Sequence, residues 1–404
     1  MRKVITPVGT SLFENYKKGN AKNDLGDFDQ HYIGIKDRPN KDWENCKREI
    51  ERIQDPLLKW ARSSENSSAE IKSILKIKEK VEDELNVYLL ASDTITSCVA
   101  AEVIKDRFAS DKDSITPFFN CKNDVISCLQ VNDAESFQRK GMINLINRIY
   151  QIANEYLENV IINITGGFKA AIPFLTIFAQ INQIPLYYIF ESGKMLIEIP
   201  QIPINIDWRI FEDVKNKEFF SELERKKILE KNYNDLDPGI RSLIEQADSY
   251  IGFNPLGLAL WKRFKSLHRL FLLYRETYKA DYLKCKENDK NIINQSLCEL
   301  ARKLEENPED PDLKHRLVDC QLPDKFYCFK HKHNQQQVRI FYRVEERKTP
   351  YGETEKDIYV AAFYFGSDVH NANNEYIEAF NKFSKTERQA VENLNNFVLI
   401  DIPK

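Results

Sequence analysis

Between Lys325 and Lys348 the chain sets its positive charge at intervals of two. Lys330 and Lys332 stand in KFYCFKHKH, and Arg339 and Arg343 in VRIFYRVE. Arg347 and Lys348 follow, against the two acids Glu345 and Glu346. Residues two apart on an extended strand project from one face. Lys330 and Lys332 therefore share a face, with His331 and His333 on the other, and Arg339, Phe341 and Arg343 share a face of the next strand. The whole chain has a formal net charge of −3, so this basic density is local and reads as a polyanion site. One chemistry fits it. RNA is cut by its own 2′-hydroxyl when a base takes the hydroxyl proton, cations stabilise the phosphorane and an acid protonates the leaving 5′-oxygen. No metal is required, and the segment holds no acidic cluster suited to one. Lysines that guard an exposed sheet edge would give the same pattern.

A second set of residues lies in INITGGFK, Ile162 to Lys169. An apolar run ends, two glycines allow a tight turn and a helix begins. The free N–H groups of such a turn favour phosphate. Thr165 adds a hydroxyl, and Lys169 a point charge one turn into the helix. Gly9, Thr10 and Ser11 follow the first apolar run, and Ser92-Asp93-Thr94 ends another in the same way. Open α/β sheets bind ligands at the carboxyl ends of their strands. A purely structural strand–helix turn with a solvated lysine is the competing reading, since short glycine motifs are weakly specific.

The elements that must position these residues can be read from periodicity. KVITPV (3–8), NVYLLAS (86–92), NVIINI (159–164) and LYYIF (186–190) are near-continuous apolar strands, and 195–199 is an edge strand. Helical patterns run over 43–82 with a break at 63–68, then over 93–108, 137–156 and 169–180, while the stretch after Ser11 is polar and reads as loop. Apolar strands alternating with helices predict a parallel sheet of Rossmann-like α/β type over residues 1–205. Residues 206–265 are strand-poor and helical. Residues 266–404 predict two long helices, 270–286 and 292–306, then aromatic and β-branched strands over 325–333, 338–345 and 357–365, and a last helix at 374–383. That order is α+β. The fold class is thus multidomain.

Composition bounds the rest. Hydrophobic residues make up 42% and charged residues 30%, which fits folded domains and excludes a disordered or fibrous chain. The start MRKVITPVGTSLF has no apolar core or cleavage site of a signal peptide, and Pro173, Gln180, Asn182, Gln183 and Pro185 interrupt the most apolar stretch, so no membrane span is expected. The eight cysteines form no C-x-x-C pair. Reduced thiols in the cytoplasm are the expectation.

VITPVGTS near the start and INITGGFKA after a strand resemble the CARF domain of type III CRISPR accessory proteins. The resemblance implies a homodimer that binds cyclic oligoadenylate, with cyclic tetra-adenylate as the allosteric activator, facing Gly9, Thr10, Ser11, Thr165, Gly166, Gly167 and Lys169. Residues 206–265, with the segment GFNPLGLALWKRF, resemble a winged helix-turn-helix linker. LPDKFYCFKHK followed by VRIFYRV, between LCELARKLEENP and GSDVHNANNEYIEAFNKF, resembles RelE-type mRNA interferases. That resemblance implies Lys332 as general base, Lys330 and Arg339 as transition-state cations, and Tyr376 stacking on or orienting the substrate base. Where that family has an arginine acid, this chain has His370, a residue able to donate a proton near neutral pH. The implied partners are the ribosome and mRNA cut in the A site, an antiviral toxin-like activity that needs no metal. The order CARF, winged helix, RelE resembles a known fusion architecture of CRISPR defence. Two rivals stand beside it. Arg263-x-x-x-x-His268 fits the loose motif of the all-helical HEPN ribonucleases, and Arg225, Lys226 and Lys227 would serve a DNA-binding regulator.

Overall fold

The computed structural model describes the chain apart from residues 21–24, 110–113, 131–132, 155–156, 191–194, 227–232, 248–249, 316–321, 334–335, 350–353, 367–386 and 404, with backbone only at 226, 247, 250, 365 and 366. The chain divides into two compact units. One comprises Met1–Ile206 with Asn254–Leu260, the other Asp207–Phe253 with Trp261–Lys404.

The first unit is built on one sheet. Its strands are β1 (Arg2–Val8), β2 (Leu85–Ser92), β3 (Ile115–Phe118), β4 (Val125–Ile126), β5 (Val160–Asn163), β6 (Leu186–Ile189) and β7 (Leu196–Ile199). The order is β3-β2-β1-β5-β6-β7, with β4 also paired to β2. All pairs are parallel except β6–β7. Val4 to Val8 are buried without alternation, as expected of a strand covered on both faces. The five apolar runs form strands as expected; β3 and β4 are too short to have announced themselves. The polar stretch after Ser11 is not a loop. It forms α1 (Ser11–Gly19) and α2 (Gly26–Ile35), because Leu12, Phe13, Phe28, Tyr32 and Ile35 bury one face of each helix in the core. Helices α3 (Lys47–Ser63), α4 (Ala69–Val81) and α5 (Ile95–Ala109) follow, and Ser68 caps α4 by accepting the Ile71 N–H at 3.0 Å. From β1 the chain builds outward through β2 and β3, then crosses back to β5. The strand order therefore reverses between β1 and β5, the place where open α/β sheets bind ligands.

The second unit begins with the helix Val214–Lys226, a hairpin of β8 (Ile244–Ala247) and β9 (Tyr250–Phe253), and the part of the helix Pro255–Leu267 from Trp261 onward. The hairpin corrects the strand-poor expectation for this segment. Its core is aromatic: Phe211, Phe220, Phe253, Trp261 and Phe264 are all buried, with Phe211 and Phe220 rings 4.9 Å apart. A five-stranded sheet follows, comprising β10 (His268–Tyr274), β11 (Tyr327–His333), β12 (Gln336–Lys348), β13 (Thr354–Gly366) and β14 (Phe397–Pro403) in the order β11-β12-β13-β10-β14. Only β10–β13 is parallel.

Strand β10 replaces the start of the helix expected at 270–286, and short helical turns, Arg275–Thr277 and Tyr278–Tyr282, follow it. Phe271 and Leu273 enter the core on one face of the sheet, and Leu272 and Tyr274 the core on the other. A continuous apolar run suits a strand buried on both faces. The helix Glu287–Glu306 covers the first of these cores, packing Ile293, Leu297 and Leu300 with Phe329, Val338 and Ile340. The expected last helix at 374–383 lies outside the described residues.

Buried charge ties the helices to the sheet. Lys265 Nζ donates to Glu224 and Glu355, each at 2.7 Å. Arg347 bonds Glu355 at 2.6 Å and Asp357 at 3.0 Å, and Arg225 pairs with Asp357 at 3.3 Å. Burial alone would lower the Lys265 pKa, but Glu224 and Glu355 hold it above the ordinary lysine range. Burial would raise that of Glu355, and Lys265 with Arg347 instead holds it at about 2. Among the described residues no helix is long and apolar enough to cross a membrane.

Candidate functional site

In the first unit, the loops after β1 and β5 meet at the reversal of strand order. A Cβ added to Gly9 would lie 3.1 Å from the Gly167 carbonyl oxygen. Gly167 has φ +85°, a conformation that favours glycine, and a Cβ there would lie 2.5 Å from Pro7 Cβ. The turn is set from below by Asn163. Its Oδ1 accepts the Thr165 N–H at 3.2 Å and its Nδ2 donates to Ser73 Oγ at 2.8 Å. The Thr165 hydroxyl oxygen accepts the Ile189 N–H at 3.0 Å, which ties the loop to the end of β6. Lys169 opens a short 3-10 turn ahead of the helix Ile172–Asn182 and is exposed.

One residue that sequence reasoning missed organises this junction. Glu70, only 1% exposed, extends its carboxylate from the first turn of α4 between the two loops. Oε1 accepts the Gly9 N–H at 2.9 Å and the Gly167 N–H at 3.3 Å, and Oε2 accepts the Ser11 hydroxyl at 2.7 Å. The Ser11 oxygen in turn accepts the Ala69 N–H at 3.0 Å. An internal carboxylate thus occupies the Gly9 and Gly167 amides. Ser97 performs the matching task for β1 and β2, donating to the Val8 carbonyl at 2.7 Å and accepting the Ser92 N–H at 2.9 Å. Asp93 accepts the Cys128 N–H at 3.0 Å and so ties the loop after β2 to the segment after β4. Beside Thr10 lies an open cleft of about 590 Å³ whose lining includes Lys17, Lys18, Tyr32, Lys36 and Thr96, with Glu14 and Asp37.

Residues 65–202 match the family model described as CRISPR-associated protein (Cas_APE2256). The matched segment is similar to a CARF-family domain and contains Glu70, β2 to β7 and the Thr165–Lys169 turn. Among solved structures, Can2 from Sulfobacillus thermosulfidooxidans in complex with cyclic tetra-adenylate (cA4) aligns at 13% identity over 69% of this chain and 67% of that one; its TM-score of 0.17 leaves the likeness without weight in the argument. No curated protein matches the chain.

In the second unit, the hairpin β11–β12 places Lys330 directly opposite Arg339, and β12–β13 places Arg339 opposite Tyr364. Side chains paired in this way lie on one face, about 5 Å apart at Cβ. Lys332 stands opposite Gln337 in the adjacent row. The basic residues read from alternation thus share one face of one end of the sheet, continued inward by Cys328 and Phe341. Lys330 is half-buried and Lys332 exposed. Arg339 is buried at 2% exposure, its Nη1 donating to its neighbour's carbonyl at Val338 and its Nη2 to Gln337 Oε1, both at 3.0 Å. These bonds fix the plane of the guanidinium.

Tyr364 was not singled out from the sequence, because its strand reads as a continuous apolar run. Burial pushes its phenol up to about 12, so near neutral pH it keeps its proton and remains a donor beside Arg339.

The wider basic patch is narrower than its composition. Arg343 pairs with Glu345, Lys325 approaches Glu345 at 3.7 Å, and Arg347 belongs to the buried network. Among the described residues Lys330 and Lys332 form no ion pair. His331 and His333 lie on the opposite face, the His331 ring 5.9 Å from that of Phe329. Burial lowers the His331 pKa, opposed in part by Glu299. His370, Tyr376 and Lys227 lie outside the described residues, as does the side chain of Lys226.

The rivals meet different surroundings. His268 begins strand β10, its ring 4.3 Å from that of Phe264 and its Nδ1 3.1 Å from the Phe264 carbonyl, in a unit that is not all-helical. Arg225 is engaged with Asp357 at 3.3 Å. Among the described residues no group of three or more His, Cys, Asp and Glu is placed to share a metal ion.

Proposed function

We propose that the chain is a cyclic-oligoadenylate-activated, metal-independent endoribonuclease that cuts mRNA in the ribosomal A site and so arrests translation in antiviral CRISPR defence. The observation that carries this reading is the row of two cations and a phenol, Lys330, Arg339 and Tyr364, with Lys332 beside it. The CRISPR-associated match over residues 65–202 supports the sensor half, as do the two glycine loops that meet where the strand order reverses. The RelE-like motifs of the second unit support the nuclease half.

In this reading Lys332, the more exposed lysine, takes the 2′-hydroxyl proton. Lys330 and the plane of Arg339 face the charge that develops on the phosphorane, where fixed donors are most effective. His370 donates to the leaving 5′-oxygen and Tyr376 orients the base, both roles carried over from the family motif. The protein acts as a homodimer, with one cyclic tetra-adenylate ring shared between two copies.

The test uses the purified full-length chain with cyclic tetra-adenylate, ribosomes and mRNA. Cleavage is expected to require the ring nucleotide, to survive EDTA and to fall by at least about a hundredfold in Lys330→Ala with Lys332→Ala. Cutting that persists in that double variant but vanishes in His268→Ala would overturn the assignment in favour of the HEPN-type reading. Specific binding of duplex DNA without any RNA cleavage would favour the regulator.

A further inference from the structure

Resting on the cyclic-oligoadenylate reading above, we infer that Glu70 is the positioning residue of the sensor: its reach, rather than its charge, sets the spacing of the two loops that grip the ring. The carboxylate is a three-way clasp. It joins the loop after β1 through the Gly9 N–H, the loop after β5 through the Gly167 N–H, and the start of α1 through the Ser11 hydroxyl. Its own position is fixed from behind. Ser73 Oγ donates to the Glu70 carbonyl at 3.0 Å and accepts from Asn163, the residue that also shapes the Thr165 turn.

The clasp is closed to a ligand. Glu70 is 1% exposed, and a Cβ added to Gly166 would lie 2.2 Å from its Oε1. A phosphate oxygen cannot take the place of the carboxylate while the loops stay together. The ring must therefore be read by the outer surface of the loops, through Thr10, Thr165 and Lys169, whose separation depends on what Glu70 holds beneath them. Buried acceptors that satisfy several N–H groups at once are costly to remove, because the donors are left unpaired.

Reach and charge can be separated by three substitutions. Glu70→Gln keeps the length and an acceptor oxygen for the glycine amides, and its amide can donate to Ser11. Glu70→Asp keeps the charge but is shorter by one carbon–carbon bond, about 1.5 Å. Glu70→Ala removes both. Binding of cyclic tetra-adenylate to the full-length protein is measured by isothermal titration calorimetry, with circular dichroism establishing that each variant is folded at the titration temperature. The glutamine variant is expected to bind within about threefold of the native chain, and the aspartate and alanine variants about tenfold more weakly or worse.

An aspartate variant that binds like the native protein overturns the inference. So does a glutamine variant as weak as alanine, or an alanine variant that binds more tightly, which would make Glu70 an internal competitor. If the aspartate and alanine variants do not fold, the glutamine variant still decides: a change of about tenfold in either direction overturns the proposal. A native chain that gives no binding heat overturns the ligand reading and this inference with it. Native binding with indifferent Glu70 variants overturns this inference alone.

Discussion

Arg339 and Glu70 are both buried ionisable residues, and the bonds of each indicate what each is for. The guanidinium of Arg339 is oriented by Val338 and Gln337 along its own strand while facing Lys330 across the hairpin. A lysine at this position keeps the charge but cannot reproduce the planar fork. Arg339→Lys is accordingly expected to lower single-turnover cleavage by about a hundredfold with a much smaller change in unfolding midpoint. Unchanged cleavage would mean that only the charge matters. Arg339 and the two lysines were legible in the sequence because their relation is local: alternation fixes their faces and one short hairpin brings them together. Glu70 was not. Its partners Gly9 and Gly167 lie 61 and 97 residues away, and a glutamate in the first turn of a helix is ordinarily explained by the helix dipole alone.

At the scale of elements, the apolar run Leu270 to Tyr274 shows where periodicity loses its power. Five consecutive apolar residues suit a buried helix and a buried strand equally. The choice falls to the slot between β13 and β14, which demands a strand with both faces covered. The β12–β13 ladder raises a different point, since its ionic anchor is sensitive to acid. Glu355 titrates at about 2 in the folded protein against an ordinary 4.5. Its contribution to stability is therefore complete above about pH 4.5 and is lost as pH falls toward 2. Glu355→Gln leaves Lys265 and Arg347 short of a buried partner, and is expected to cost about 3 kcal/mol at neutral pH. The variant should also show a smaller further loss on acidification than the native chain. Urea unfolding at about pH 7 and about pH 3 measures both effects, and a variant as stable as the native protein at neutral pH would remove the network from the list of stabilising features.

The whole molecule has two units, each with its own sheet and core. The sequence marks the first boundary clearly, where alternating strands and helices give way near Pro203. The return of Asn254–Leu260 to the first unit was not legible, since nothing in a helical pattern reveals which neighbour it packs against. A ligand that binds one unit stabilises that unit by mass action. At a hundredfold excess over its dissociation constant the gain is about 2.7 kcal/mol, or roughly 5 to 10 °C for a domain of this size. Scanning calorimetry with cyclic tetra-adenylate is expected to raise one of two transitions and leave the other in place. Two transitions that move in step would show one cooperative block instead.

The irregularity in the β12–β13 ladder has an evolutionary consequence. Between Phe341 and Tyr342 the pairing skips Ala361, and the Ala361 carbonyl is held by the Thr277 hydroxyl at 2.6 Å. This extra residue acts as a phase key. It distinguishes the native register from every slipped one, so the Lys330–Arg339–Tyr364 row has a single alignment. Lineages of this protein should therefore accept length changes beyond the far end of the ladder, between Lys348 and Thr354, where neither the row nor the Arg347–Glu355 pair is re-phased. On the near side of the key they should reject them, because one residue lost between Arg339 and Phe341 turns the guanidinium onto the helix-covered face and leaves the lysines without it.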